Sequence, residues 1–153
     1  MKLNDLQRRG GRRKARELVF RALYESGVTR DSLLEIMELS LGKFRLTMEG
    51  REYALQLTAA CEQGLEPIDQ VISSVLKSWD AERLGLVERA ILRLAGVELK
   101  WQTAIDARII LDEAVRLATR YGSDESPAFV NGVLDPIARH FRPGELEGDA
   151  GGA

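Results

Sequence analysis

The amino-acid sequence predicts an all-α protein. Leucine and alanine dominate its apolar residues, it holds only 4 prolines, and its apolar residues recur at helical spacing without the sustained alternation of a strand. At 153 residues the chain is long enough for one ordinary domain with a hydrophobic core. Hydrophobic residues make up 44% and charged residues 30%, a balance typical of globular proteins. We therefore expect seven helices with short connections, packed as two small helical bundles.

Apolar periodicity and helix-breaking residues divide the first half of the chain. Glycines at positions 27 and 42 are predicted stop signals, and Gly64 is expected to interrupt a longer helix. Pro67 suits an opening helical turn, where a backbone N–H is not needed. Four helices are expected here. The first runs from Arg12 to about Ser26, and the second is capped by Thr29 or Asp31 and ended by Gly42. The third starts after Thr47 and runs to about Gln63, and the fourth runs from Pro67 to about Trp79.

Three further helices are predicted in the second half of the chain. They run from Leu84 to about Trp101, from Ala107 to Tyr121, and from Ser126 to Phe141. Ser126 is predicted to cap the last of these, with Pro127 at its first helical position. Pro136 lies inside the same helix and predicts a kink or break near Asp135, because proline removes one backbone hydrogen bond and clashes with the preceding turn.

The composition excludes several classes of function. Cys61 and His140 are the only residues of their types, which excludes an internal disulfide, multi-cysteine and multi-histidine metal sites, and histidine-based triads. No apolar run approaches the ~20 residues of a membrane-spanning helix, and no apolar segment of the secretory type follows the basic N-terminus. We expect a cytoplasmic protein without catalytic residues, metal or cofactor, and without a membrane partner.

Positive charge is concentrated at the start of the chain. Residues 1–16 hold seven cations and one acid, a local charge of +6 in a chain of net charge −2. The first helix is expected to carry four of these cations on one face: Arg9, Arg12, Arg13 and Arg16. Arginine binds phosphates and stacks on bases, so this patch indicates a docked polyanion such as RNA. A solvated, frayed terminus is the alternative interpretation.

A second candidate site lies where the sixth predicted helix gives way to the seventh. A polar loop after Tyr121 leads to a helix N-terminus, where free N–H groups and the helix dipole favour an anion. Phe129 could be a core residue, or it could expose its ring so that an unstacked base packs on it. Asp124 and Glu125 count against a simple phosphate site.

Four stretches, in this order along the chain, carry a resemblance to a known family: 12–17 with 22–24, 86–94 with 98–99, 111–115, and 126–135. The most specific is Phe-Val-Asn-Gly-Val-Leu-Asp at 129–135. Across residues 12–141 the sequence resembles the NusB family of bacterial transcription antitermination factors. The order of the stretches makes chance similarity between helical proteins a poor explanation.

The resemblance implies a seven-helix fold of two subdomains. On this basis we expect a NusB-like domain over residues 12–142, divided into subdomains of about 12–78 and 79–142. A basic, flexible arm would precede it at residues 1–11. A disordered tail would follow at residues 143–153, which are rich in glycine and acidic residues.

The resemblance also implies a non-enzymatic function. NusB proteins pair with NusE, a small-subunit ribosomal protein, hold the boxA element of ribosomal RNA transcripts, and join RNA polymerase with other Nus factors. The residues that would bind RNA are Arg12, Arg13, Lys14, Arg16, Tyr121, Glu125, Ser126 and Phe129. Those that would lie toward NusE are Tyr24, Glu82 and Glu88. The resemblance leaves monomer and homodimer open, and the remaining alternative is a helical adaptor whose basic face binds an acidic protein.

Overall fold

The computed structural model describes residues 3–77 and 84–146, with side chains from Gly11 onward. Its helices are α1 (Leu3–Thr29), α2 (Leu33–Lys43), α3 (Met48–Leu76), α4 (Leu86–Trp101), α5 (Ala107–Tyr121) and α6 (Ser126–Phe141). No strand occurs within these ranges, so the all-α prediction is confirmed. The predicted count of seven is not confirmed, because the described residues form six helices. None of the described helices has both the length and the apolar character needed to cross a membrane.

A kink at Gly64 accounts for the difference in helix count. Gly64 has non-helical angles, φ −133° and ψ 16°, inside α3, and the segment predicted as a separate helix from Pro67 is the continuation of α3 beyond it. A Cβ at position 64 would lie 2.1 Å from Cη2 of Trp101. Gly64 therefore provides the space in which the indole ring lies against the kink.

The chain divides into two compact units, Met1–Gln63 and Gly64–Ala153, here called the N-terminal and C-terminal units. The sequence places the boundary between subdomains near residue 78, whereas the division in the structure coincides with the kink in α3. Helix α1 begins at Leu3, within the segment predicted as a basic arm. The side chains of residues 1–10 lie outside the described residues, and the flexibility of the arm stays a prediction.

The N-terminal unit contains α1, α2 and the first part of α3. The buried side chains of α1 and α2 repeat at helical spacing and form the core between them. Contrary to the prediction that Thr29 or Asp31 caps α2, α1 continues to Thr29 and the Ser32 hydroxyl accepts from the N–H of Glu35. Arg30, between the two helices, has a φ of 66° and makes the tight reversal.

Helix α4 is the most buried element of the C-terminal unit. All but one of its residues from Ala90 to Leu99 are buried, which is typical of a helix packed on several sides. The exception, Arg93, forms a two-bond ion pair with Asp69 of α3, with both N–O distances 2.9 Å. At Gly96 a Cβ would lie 2.7 Å from Cγ2 of Ile68, so α3 and α4 approach closely there.

Of the kink or break predicted near Pro136, the break does not occur, since α6 continues from Ser126 to Phe141. Pro136 is exposed, whereas Val133, three residues before it, and Ile137, the next residue, are buried. The backbone carbonyl that loses its partner is therefore on the solvated side, where water can replace the hydrogen bond. Core packing on the opposite face holds the helix continuous.

The chain stays ordered beyond the predicted start of the tail. Leu146 is buried, and Oε1 of Glu145 accepts from the backbone N–H of Ala107 at 2.7 Å, at the start of α5. The first four residues of the predicted tail at 143–153 therefore pack on the C-terminal unit, through one buried leucine and one carboxylate that accepts a hydrogen bond at the start of α5. The rest of that prediction falls on residues 147–153, which lie outside the described residues.

Candidate nucleic-acid interface

Two glycines bring the start of α1 against α3 in the N-terminal unit. A Cβ at Gly50 would lie 2.8 Å from the carbonyl oxygen of Gly11, and one at Gly11 would lie 2.7 Å from Oγ1 of Thr47. The same threonine oxygen accepts from the N–H of Gly50 at 2.9 Å, which satisfies a free donor at the start of α3. The two backbones therefore nearly touch immediately before residues 12–16, which we call the basic turn.

The basic turn lies beside the ring of Tyr53 on α3. Cζ of Arg12 is 5.7 Å from the ring centroid and Cζ of Arg16 is 5.5 Å from it, distances at which a guanidinium is attracted by an aromatic ring. Tyr53 is buried, with 6% of its surface exposed. The sequence predicts only that Tyr53 points inward, because helical spacing shows no partner on another helix.

The predicted basic face is divided by burial. Arg13 and Lys14 are exposed, Arg12 is partly exposed, and Arg16 is only 4% exposed. Arg16 is thus a packed side chain, contrary to the expectation of one shared face, because an angular projection does not include the packing of α3. The side chain of Arg9 lies outside the described residues.

Acidic residues of α3 adjoin the basic turn on one side. A cavity of ≈250 Å³ is lined by Arg12, Glu49, Glu52, Tyr53 and Gln56. The negative charges there repel a phosphate, so the electrostatic potential is less favourable near Arg12 than near cations that face solvent. Arg13 and Lys14 are therefore the cations of this turn best suited to contact a nucleic-acid backbone.

The loop between α5 and α6, in the C-terminal unit, is built around the Ser126 hydroxyl. Its Oγ donates to Oε1 of Glu88 at 2.6 Å and accepts from the N–H of Ser123 at 2.9 Å. Ser126 is 1% exposed. The prediction that Ser126 caps α6 is wrong, because Glu125 occupies the N-cap position and its side chain makes no capping bond. The Ser126 hydroxyl instead joins the start of α6 to α4.

The aromatic residues of this loop differ in exposure. Phe129 is 6% exposed, so of the two interpretations left open by the sequence the structure favours the core residue. Tyr121 is partly exposed, and Cζ of Arg120 lies 5.5 Å from its ring centroid. Glu125 is exposed. Arg120 is not among the site residues that the sequence predicts, since an aromatic neighbour one position away gives no helical-spacing signal.

The residues predicted to lie toward NusE belong to different units or lie outside the described residues. Tyr24 is 40% exposed on α1 in the N-terminal unit. Glu88 is partly buried in the C-terminal unit, where its carboxylate accepts a hydrogen bond from the Ser126 hydroxyl. Glu82 lies outside the described residues. Glu88 and Ser126, which the resemblance assigns to different sites, therefore share one hydrogen bond.

Comparison with known proteins decides the family. The NusB family model matches residues 13–139. This chain belongs to the NusB family. It is 41% identical over 133 residues to the transcription antitermination protein NusB of a Nitratiruptor species, covering 87% of this chain and 95% of that protein. The resemblance drawn from the sequence is thereby confirmed, and with it the expectation of a non-enzymatic protein.

Solved NusB structures have the same fold. T. maritima NusB matches with a TM-score of 0.80 and 37% identity, covering 86% of this chain and 93% of that one. A chain from the crystal structure of antitermination factors NusB and NusE in complex with dsRNA matches with a TM-score of 0.77 and 30% identity, covering 86% of this chain and 98% of that one. The all-α fold of this chain is therefore that of NusB proteins.

Proposed function

We propose that this chain is an RNA-binding transcription antitermination factor that holds boxA-type single-stranded RNA of ribosomal RNA transcripts together with NusE. Membership of the NusB family and the similarity to a chain crystallised with NusE and RNA support the proposal. The observation that carries it is the basic turn, in which Arg13 and Lys14 face solvent while Arg12 and Arg16 lie against Tyr53.

The basic turn supplies affinity through the phosphate backbone. Arg12 and Arg16 are held by the Tyr53 ring, so the turn that presents Arg13 and Lys14 is already ordered before RNA binds. Each phosphate contact with a single strand releases counterions and contributes a slope of about −0.7 to the log–log salt dependence of affinity. Two such contacts are therefore expected to raise the affinity about 25-fold at 0.1 M salt relative to 1 M.

The C-terminal unit supplies contacts of a different kind. Tyr121 is a partly exposed ring with the Arg120 guanidinium beside it, an arrangement suited to stacking an unpaired base. Ser126 and Phe129 are buried, and in this proposal they hold the loop in shape. In the cell, we propose that the RNA-bound chain acts in the cytoplasm within an RNA polymerase complex with NusE and other Nus factors.

The proposal is tested by removing the two exposed cations together. Arg13→Ala/Lys14→Ala is expected to weaken binding of a boxA-type RNA about 25-fold at 0.1 M salt and to reduce the salt slope by about 1.4. Fluorescence anisotropy with a labelled RNA, with and without NusE, measures both quantities. A scrambled RNA of the same length separates boxA recognition from electrostatic attraction.

A charge-matched variant provides the control. Lys77→Ala/Arg116→Ala removes two exposed cations outside the basic turn and is expected to leave the affinity close to that of the unmodified chain. Equal losses in both double variants, or equal affinity for boxA and scrambled RNA, would contradict the proposal. Binding of NusE without any RNA affinity would favour the helical adaptor instead.

A further inference from the structure

Phe44 presents an aromatic ring to solvent in the N-terminal unit. It follows α2 in an extended backbone conformation, with φ −110° and ψ 137°, and its N–H donates to the Ser40 carbonyl at 3.0 Å. This bond fixes the backbone at the end of the helix. The ring is 46% exposed. Phe44 is thus a ring on a fixed backbone with a large surface available to a ligand.

The surroundings of this ring are cationic. Cζ of Arg21 on α1 lies 5.7 Å from the Phe44 ring centroid. A cavity of ≈260 Å³ beside them is lined by Lys14, Glu17, Leu18, Arg21, Phe44, Arg45 and Leu46. Three cations and one acid line this cavity, and two leucines add apolar surface. An aromatic ring with apolar surface and an excess of cations is the combination that sequence-tolerant binding of single-stranded nucleic acid uses.

The positive charge is restricted to one side of Phe44. A second cavity of ≈340 Å³ also includes Arg21 and Phe44 in its lining, but there Glu25, Asp31 and Glu35 offset the cations. A phosphate would be repelled from that side and attracted to the side of Lys14 and Arg45. The charge distribution therefore favours a polyanion in the smaller, cationic cavity.

Lys14 connects this cavity to the basic turn. It belongs to that turn and also lines the cavity beside Phe44. On α1, Lys14 and Arg21 are two helical turns apart, about 10 Å along the axis at 1.5 Å per residue. A single strand bound at the basic turn can therefore continue along α1 to Phe44.

We infer that Phe44 and Arg21 form a further nucleotide position for single-stranded RNA. The base stacks on the exposed Phe44 ring, and its flanking phosphates contact Lys14 and Arg45. This inference rests on the proposed RNA-binding function and extends the bound strand beyond the boxA element itself. The position is expected to detect a base and a phosphate with little sequence preference, because ring stacking and phosphate contacts are sequence-tolerant.

Binding of RNAs of different length tests the inference. The probes are a labelled boxA-type RNA and the same RNA carrying a short uridine extension at its 5′ or its 3′ end. Phe44→Ala is expected to weaken binding of one extended RNA roughly tenfold, the loss of one stacked base, and to leave the unextended RNA unaffected. Phe44→Tyr is expected to restore the affinity, whereas Phe44→Leu, apolar but without a ring, is not.

Met48→Ala is the matched control, because Met48 is 90% exposed and does not line the cavity. The inference is overturned if Phe44→Ala binds every extended RNA as the unmodified chain does, or if Phe44→Leu binds as well as Phe44→Tyr. A loss that appears only in the presence of NusE also overturns it and assigns the surface to a protein. If the unmodified chain does not bind the unextended RNA, the proposed function itself fails, which is a separate result.

Discussion

The basic turn and the loop between α5 and α6 differ in which of their side chains are buried and which are exposed. Beside the basic turn the ring of Tyr53 is buried, while the cations Arg13 and Lys14 of the turn face solvent. In the loop the polar group of Ser126 is buried in hydrogen bonds, and the aromatic Phe129 is in the core. The turn therefore keeps two cations available for binding, whereas the loop uses the Ser126 hydroxyl to maintain its own shape.

This difference predicts which substitutions change the free energy of unfolding and which change the affinity for RNA. Exposed cations contribute little to folding, since isolated surface charges change stability by only about 0–1 kcal/mol. Buried rings and buried hydrogen bonds contribute much more. Substitutions in the loop should therefore lower the free energy of unfolding first, and substitutions of the exposed cations should lower RNA affinity at unchanged stability.

The largest effect is expected from Phe129→Ala. Truncating a ring that is 6% exposed leaves a cavity and should lower the free energy of unfolding by about 3–5 kcal/mol. Urea denaturation followed by circular dichroism measures this change. Phe44→Ala is the matched control, since its ring is 46% exposed and should cost less than about 1 kcal/mol. Equal, small losses for both would show that Phe129 is a surface residue and would break the comparison.

The second prediction concerns the support of the basic turn. Gly50→Ala places a Cβ 2.8 Å from the Gly11 carbonyl oxygen, so α1 and α3 must separate. The expected loss is about 1–3 kcal/mol, accompanied by weaker RNA binding, because Arg12 and Arg16 then lie farther from Tyr53. Thermal denaturation and anisotropy measure the two effects.

Gly42→Ala is the control for this substitution. A Cβ there meets nothing within 4 Å, and alanine favours the helix by up to about 1 kcal/mol, so stability should hold or rise. If Gly50→Ala is as stable as Gly42→Ala, the close approach of α1 and α3 does not determine the position of the basic turn.

Ser126→Ala addresses the loop in the same way. It removes the hydroxyl that joins Glu88 to Ser123 and leaves a partly buried carboxylate without that donor, at a cost of about 1–3 kcal/mol. Ser74→Ala, at an exposed position of α3, should change stability by less than about 0.5 kcal/mol. A variant that keeps full stability but loses RNA affinity would show that Ser126 contacts RNA directly and does not only position the loop.

The fold was largely predictable from the sequence because helical periodicity is a local signal. The apolar stripes from Leu84 onward correctly predicted α5 and α6, and they predicted α4 with a start two residues before Leu86. Errors arose where tertiary packing decides the outcome. Helix α6 continues through Pro136 with its opposite face buried, and Leu146, which follows the end of α6, is also buried. Neither effect is visible in a local pattern.

The candidate site was predictable in its residue types but not in its geometry. The density of cations indicated the basic turn, and a polar loop that leads to a helix N-terminus and Phe129 indicated the second site. Which arginine is buried depends on Tyr53, which lies on a different helix and far away in sequence. The link from Glu88 to Ser126 spans 38 positions. Only the folded structure shows that these two residues bond to each other.

The smallest change in the free energy of unfolding is expected from Glu88→Gln, which is also the most specific test of the role of Glu88 in the loop. The amide oxygen of glutamine can still accept the Ser126 hydroxyl, so the free energy of unfolding should fall by less than about 1 kcal/mol, well below the loss expected for Glu88→Ala. If the charge of Glu88 also contacts NusE, binding of NusE, measured by calorimetry, weakens in Glu88→Gln while RNA binding does not. Unchanged affinity for NusE would instead make Glu88 a residue that only positions Ser126. In that case the Glu88 carboxylate only stabilises the loop, through the 2.6 Å hydrogen bond that it accepts from the buried Ser126 hydroxyl.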